Sequence, residues 1–320
     1  MNKKILAATC SALCLFATAC GSGGGGSAGE PEKPPAQATE GKLSVSSVYQ
    51  YYGYEPAKIR TKLDGKATDI PDLYYYIEDE SICSIENGYV TALKVGSTKV
   101  YAQTVGGQEA EFTVNVSPSS EFAYDELVRE REETYRVRFK DTHPTLFIGD
   151  SFFDEKYCWT SFYDDFEKDN CFCAGLSGSQ TTHWYTAQSR LITAFSPKNI
   201  VVHLGTNDIN NGKPALNADR YYEIITDFLQ TLITDYPDTP IYYYGIEDRN
   251  GNESGRNFIS SAVTERIKTE FAAENATFTY LDSPSVFNAD KNKYLRSDNI
   301  HPNAQGYEVY ARLAKDNIKF

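Results

Sequence analysis

Among its 320 residues the chain has one methionine, two tryptophans and four histidines, so the candidates for a catalytic base are few. Its seven cysteines form no Cys-x-x-Cys pair and no Cys/His spacing suited to zinc, so a metal centre is not expected. Beyond residue 19 no apolar run approaches the roughly 20 residues that span a bilayer. Positive charge is short: 31 Lys and Arg stand against 44 Asp and Glu, a formal net charge of −13. Such a chain does not hold a polyphosphate by charge, which excludes a general nucleic-acid binder, and anionic lipid would weakly repel it. With 41% hydrophobic and 23% charged residues the composition is globular, and the length suits one large or two ordinary domains. Tyrosine is abundant at 24, as suits a wet surface or a sheet-rich protein.

Residues 1–19 read as a leader. Lys3 and Lys4 give a basic start, and Ile5 to Ala19 is an apolar run too short to cross a membrane. The run ends Ala17-Thr18-Ala19-Cys20-Gly21, which resembles the lipobox of bacterial lipoproteins. That resemblance implies lipidation at Cys20 and anchoring to the extracytoplasmic face of a bacterial membrane, the only membrane contact expected. Residues 20–41 are rich in Gly and Pro and read as a flexible tether. Cys83, Cys158, Cys171 and Cys173 would remain in the folded part. Burial is the favoured reading for Cys171 and Cys173, with a bridge from Cys158 to one of them the alternative.

Two folded regions follow. In residues 42–117, short alternating segments such as Ile82–Ile85, Tyr89–Leu93, Thr98–Thr104 and Ala110–Val116 lie between Gly-containing turns, and Asn87-Gly88 marks a tight hairpin. This predicts a small all-β sandwich, and the stretch from Tyr74 to Val116 resembles the group 2 bacterial immunoglobulin-like domain. Such a module is a spacer or contacts cell wall or glycan. Tyr49, Tyr51, Tyr52 and Tyr54 could stack on sugars, although tyrosines of edge strands are the favoured reading. Residues 118–140 predict a connecting helix whose charges form a solvated face.

From residue 141 to 320 strands and helices alternate. Strands are predicted at 145–148, 170–174, 199–204, 240–246 and 277–281, and helices at 158–167, 182–195, 219–236, 255–274 and 303–317. Continuous apolar strands between helices mean an α/β fold, a parallel sheet covered on both faces, with its site at the carboxyl ends of the strands.

Three motifs fall at those ends: Gly149-Asp150-Ser151, Gly205-Thr206-Asn207-Asp208, and Asp298-Asn299-Ile300-His301-Pro302. Each is weak alone. In this order, with the block Gly175-Leu176-Ser177-Gly178, they resemble the SGNH hydrolases, or GDSL esterases. The resemblance implies a flavodoxin-like three-layer α/β/α fold over residues 141–320. One departure is Cys173, where the family often has Asn.

The residue types support the same chemistry. Serine is a weak nucleophile until a base takes its proton. His301 is the best base, because it alone of the four histidines has a carboxylate three residues earlier. Asp298 would fix its tautomer. By resemblance, the oxyanion donors are the backbone N–H groups of Ser151 and Gly175 and the side-chain amide of Asn207. Asp150 is expected to shape the turn, Asp208 to tie down the Asn207 loop, and His203 to be a satisfied core residue. His183 could line the cleft, His143 lies at the surface, and Glu247-Asp248-Arg249 is read as surface charge before substrate contact. Gly25-Gly26-Ser27-Ala28-Gly29 matches a nucleophile elbow only formally, since it lies in the tether.

The expectation is a secreted serine ester hydrolase that needs no cofactor and removes O-acetyl groups from carbohydrate. A lipid esterase, lysophospholipase or thioesterase on the same triad remains open, as does a non-catalytic adhesin that uses the immunoglobulin-like module. The intact Ser151, Asn207, Asp298 and His301 weigh against the adhesin.

Overall fold

A computed structural model of the chain describes residues 41–320, apart from Glu55, Pro71 and residues 210–217. The leader, Cys20 and nearly all of the tether lie outside the described residues.

Residues 43–117 form three small sheets. The four-stranded sheet orders Val48–Tyr51, Glu109–Ser117, Gly96–Gln103 and Tyr74–Ile77, and its first pair is parallel. The long pair Gly96–Gln103 and Glu109–Ser117 is antiparallel, and every second residue is buried, including Val100, Ala102, Phe112, Val114 and Val116. Strict alternation directs those side chains into one core with Val48, Ile59 and Val90. Asn87 and Gly88 adopt φ of 51° and 79°, the positive pair that a tight hairpin requires.

Helix α1 (Asp125–Arg138) leads to a five-stranded sheet of β1 (Thr145–Gly149), β2 (Cys171–Cys173), β3 (Asn199–His203), β4 (Ile241–Tyr244) and β5 (Phe278–Leu281). The order is β2-β1-β3-β4-β5, and all neighbours are parallel. Alternation sorts the side chains. Leu146, Ile148, Val202 and Tyr243 face one layer, with α2 (Thr181–Gln188), α3 (Ala218–Asp235) and α4 (Ser254–Arg266). Phe147, Cys173, Val201 and Tyr244 face the other, against α5 (Ala304–Asn317). On α3 the buried stripe is Ile225, Phe228, Leu229 and Leu232, each worth about 1.5–3 kcal/mol. Tyr221 is buried there, whereas Tyr222 stays half-buried under Arg266.

The segment 158–167 departs from the expected helix. Only Phe162–Asp165 is helical. Asp154 accepts hydrogen bonds from the N–H groups of Lys156 and Tyr157 through its side chain, and from Cys158 and Trp159 through its carbonyl. That turn wedges Trp159, Phe162 and Phe166 around Phe147 instead of extending a helix. Cys83, Cys158, Cys171 and Cys173 are all buried free thiols, so the alternative bridge does not form.

The two regions touch directly. Lys58 pairs with Asp235 at 3.1 Å, Lys62 with Asp227 at 2.7 Å, and the Tyr54 hydroxyl donates to Asp125 at 2.8 Å.

The first strand ends under tight constraint. Gly149 has φ of 154°, and a Cβ there would lie 2.1 Å from the His203 carbonyl oxygen. Gly149→Ala is therefore expected to cost about 3 kcal/mol or more in denaturant unfolding, from combined strain and overlap. A loss below about 1 kcal/mol would show that the strand end can move.

Candidate functional site

Ser151, Gly175 and Asn207 follow the carboxyl ends of β1, β2 and β3, while Asp298 and His301 share one loop ahead of α5. Ser151 opens a single turn, Ser151–Phe153, directly after β1. The side chain of Asp150 caps this turn by accepting from the Phe152 N–H at 3.0 Å. His301 lies just before α5, whose cap Asn303 accepts from the Gly306 N–H at 3.1 Å.

The geometry joins three of these side chains in series. Ser151 Oγ lies 2.8 Å from His301 Nε2, and His301 Nδ1 lies 2.9 Å from Asp298 Oδ2. A carboxylate can only accept, so Nδ1 carries the proton and Nε2 presents its lone pair to the serine hydroxyl. Asp298 Oδ1 accepts the backbone N–H groups of Ile300 and His301, both at 2.9 Å. Burial would raise the Asp298 pKa, but those N–H groups and the imidazole hold it below the usual carboxylate range. His301 remains about a fifth exposed and Asp298 more so, so both side chains reach solvent.

The amide side chain of Asn207 donates to the Ser179 carbonyl at 3.0 Å, while Gln180 donates to the Asn207 carbonyl at 3.0 Å. One amide hydrogen is thereby fixed, which orients the other. Asp208 anchors the same loop by accepting from the Thr181 N–H and hydroxyl, and burial pushes its pKa up to about 6. Gly175 is forced by packing: a Cβ there would meet the Phe153 carbonyl oxygen at 2.2 Å. The N–H groups on either side are taken, Ala174 by the Phe147 carbonyl and Leu176 by the Gly149 carbonyl, both at 2.8 Å. Cys173 donates its S–H to the Phe153 carbonyl at 2.8 Å and so ties β2 to the Ser151 turn.

Two buried charged clusters support these loops. His203 is fully buried, with Nδ1 3.2 Å from Asp150 Oδ1 and Nε2 3.2 Å from Glu247 Oε2. Burial opposes a charged ring, but the two carboxylates outweigh it and push the His203 pKa up to about 9. Glu247 Oε1 also accepts from the hydroxyls of Ser283 at 2.5 Å and Tyr310 at 2.6 Å. The second cluster reaches in from α1. Arg131 is 2% exposed, pairs with Glu155 at 2.5 Å and donates to the Gly175 carbonyl at 3.3 Å.

These clusters correct two sequence expectations. Glu247 and Arg249 are not surface charge: they are 3% and 6% exposed, and Arg249 donates to the Thr206 carbonyl in the Asn207 loop. Nor is α1 charged only toward solvent, because Arg131 points inward. Sequence reasoning missed both because a charged residue is buried only when its partner arrives from elsewhere in the fold. An arginine beside Val128 in an otherwise solvated helix was the available signal. His183 packs edge-on against Tyr124 at 4.9 Å and accepts from the Gln180 N–H, while His143 is exposed.

The sequence model of the GDSL-like lipase/acylhydrolase family matches residues 147–309, half of the chain, and spans Ser151, Gly175, Asn207, Asp298 and His301. The chain belongs to this family. A multidomain esterase from Ruminococcus flavefaciens is 28% identical over 136 residues, which are 40% of this chain and 16% of that protein. The chain thus matches only about a sixth of the length of its curated relative. Among solved structures, a GDSL-like lipase from Bacteroides thetaiotaomicron is 19% identical, with a TM-score of 0.48, covering 61% of this chain and 96% of that one. A mutant acetyl-xylooligosaccharide esterase from Geobacillus Stearmophilus is 18% identical, with a TM-score of 0.45, covering 56% and 95%. The family match begins after α1, so Arg131 lies outside it.

Two outcomes follow for the supporting charges. Because the folded pKa of His203 is raised, its contribution is complete below about pH 6.5 and is lost as pH rises through about 9, about 3 kcal/mol in all. Urea unfolding from pH 6 to 9.5 should lose this component in the native protein and not in His203→Gln; equal slopes would refute the charged state. Arg131→Met should cost about 3–5 kcal/mol by stranding Glu155, with much of it regained in the double variant with Glu155→Leu. A loss below 1 kcal/mol in the single variant would contradict the pairing.

Proposed function

We propose that the chain is a serine carboxylic ester hydrolase that works through an acyl-enzyme, with Ser151 as nucleophile, His301 as base and Asp298 as its orienting carboxylate. The observation that carries this reading is the hydrogen-bonded series Ser151–His301–Asp298 at the strand ends, in a member of the GDSL-like family. Ser151 Oγ attacks the acyl carbon as its proton passes to His301 Nε2. The tetrahedral oxyanion is met by the N–H groups of Ser151 and Gly175 and by the Asn207 amide. His301 then protonates the leaving alcohol, takes a proton from water, and the resulting attack releases the acid and restores Ser151.

The proposed substrate is an O-acetylated carbohydrate outside the cell. Polar neighbours support it: the carbonyl of Asn299, next to Asp298 in the chain, accepts from the Asn250 N–H, the Asn250 amide donates to Asn292, and Arg296 of the same loop donates to the carbonyl of Tyr157, whose side chain is exposed. Residues 42–117 are proposed as the immunoglobulin-like module. A leader ending at residue 19, a lipid on Cys20 and the tether to residue 41 would hold the enzyme at the cell surface.

Ser151→Ala should abolish release of chromophore from a short-chain aryl acetate, and Asn207→Ala should lower kcat by about 10²–10³. Activity surviving in Ser151→Ala would sink the assignment of the nucleophile. Across acetylated xylan, other acetylated glycans and lysolipids, acid release should be greatest from a glycan; greater release from lysolipid would reverse the substrate assignment.

A further inference from the structure

Between the N-terminal strands and helices α2 and α3 lies a cavity of about 440 Å³, open to solvent, which the chemistry above does not use. That volume falls within the range of small-ligand sites, and such sites favour the junction of two structural units. Its walls carry three cations, Lys58, Arg60 and Lys62, and three carboxylates, Asp69, Asp227 and Asp235. Lys58 faces both Asp69 and Asp235, and Lys62 pairs with Asp227. Arg60 stacks over the Tyr185 ring at 4.1 Å and donates to the Thr231 hydroxyl.

This chemistry selects a ligand class. Balanced charge gives no trap for a phosphate or a carboxylate. An acyl chain would take the Lys58–Asp235 and Lys62–Asp227 pairs out of water and offer them no further hydrogen bond. A neutral polyhydroxyl ligand suits the walls, because each hydroxyl can donate to an aspartate and accept from a lysine or arginine. Its C–H faces can also lie against an aromatic ring. Tyr49, 70% exposed on the N-terminal wall, offers such a ring.

The cavity also adjoins the candidate active site through α2. Thr182, Tyr185 and Thr186 line the cavity, while Gln180 and Thr181, at the start of the same helix, hold the Asn207–Asp208 loop. We propose that this cavity is a second, non-catalytic glycan-binding site that holds a polymer beside the esterase centre, with the N-terminal strands as one of its walls. The proposal rests on the reading of carbohydrate as substrate. It gives those strands a role in binding rather than spacing alone.

The test uses glycans that carry no ester, so that binding is read apart from hydrolysis. Xylohexaose and cellohexaose are titrated calorimetrically into the whole protein, and into Tyr49→Ala and Thr182→Trp, both changes at exposed side chains. At least one glycan should bind saturably. Its affinity should fall about tenfold or more in Tyr49→Ala, through loss of the ring, and in Thr182→Trp, through filling of the cavity. Failure of both glycans to bind would overturn the proposal, as would binding that both variants leave unchanged. Tighter binding of inorganic phosphate or a fatty acid, displaced by Thr182→Trp, would overturn the ligand class. Glycan binding at the cavity without acid release from any acetylated glycan would leave this site standing and refute the esterase substrate.

Discussion

A histidine held between two carboxylates in the middle of the fold is the interaction on which the site depends. His203 ends β3, Asp150 follows β1, and Glu247 follows β4, so the two hydrogen bonds of one ring join three strand ends. Glu247 extends the network to Ser283 and to Tyr310 on the last helix, just beyond His301 in sequence. An unpaired charge at full burial would cost far more than the fold can spare, so each member requires the others. The product of this mutual requirement is positional. Asp150 is both a partner of His203 and the cap of the turn that presents Ser151.

The Gly175 loop is held by a different route. Its geometry is set by contact with the Phe153 and Asp150 carbonyls, by the Cys173 thiol below it, and by Arg131 from α1. The Asn207 loop is held by Asp208 and by Gln180. The three donors proposed for the oxyanion thus rest on three separate supports, and preorganisation of this kind lowers the reorganisation needed as charge develops.

Much of this was legible in the sequence. The five buried strands were readable because residues covered on both faces must be apolar throughout. Ser151, Asp298 and His301 stood out because a serine nucleophile needs a base and an orienting carboxylate, and Asn207 through the resemblance of its motif to the SGNH hydrolases. Arg131, Glu247 and Arg249 were not legible, since a charged residue reads as solvated unless its distant partner is known. The helix expected at 158–167 failed for a related reason. Asp154 competes for backbone N–H groups there, and three aromatics gain more by wrapping Phe147 than by lining one face of a helix. The direct contact of the N-terminal strands with α3 was equally hidden, because it is made by surface-type lysines and aspartates.

The proposed chemistry depends on a single activated serine at the end of β1. Its most direct test is covalent trapping with an aryl fluorophosphonate, followed by peptide mass spectrometry. One adduct per chain, located on Ser151, is the predicted result. An adduct on another residue, or none under conditions where aryl acetate is turned over, would contradict it.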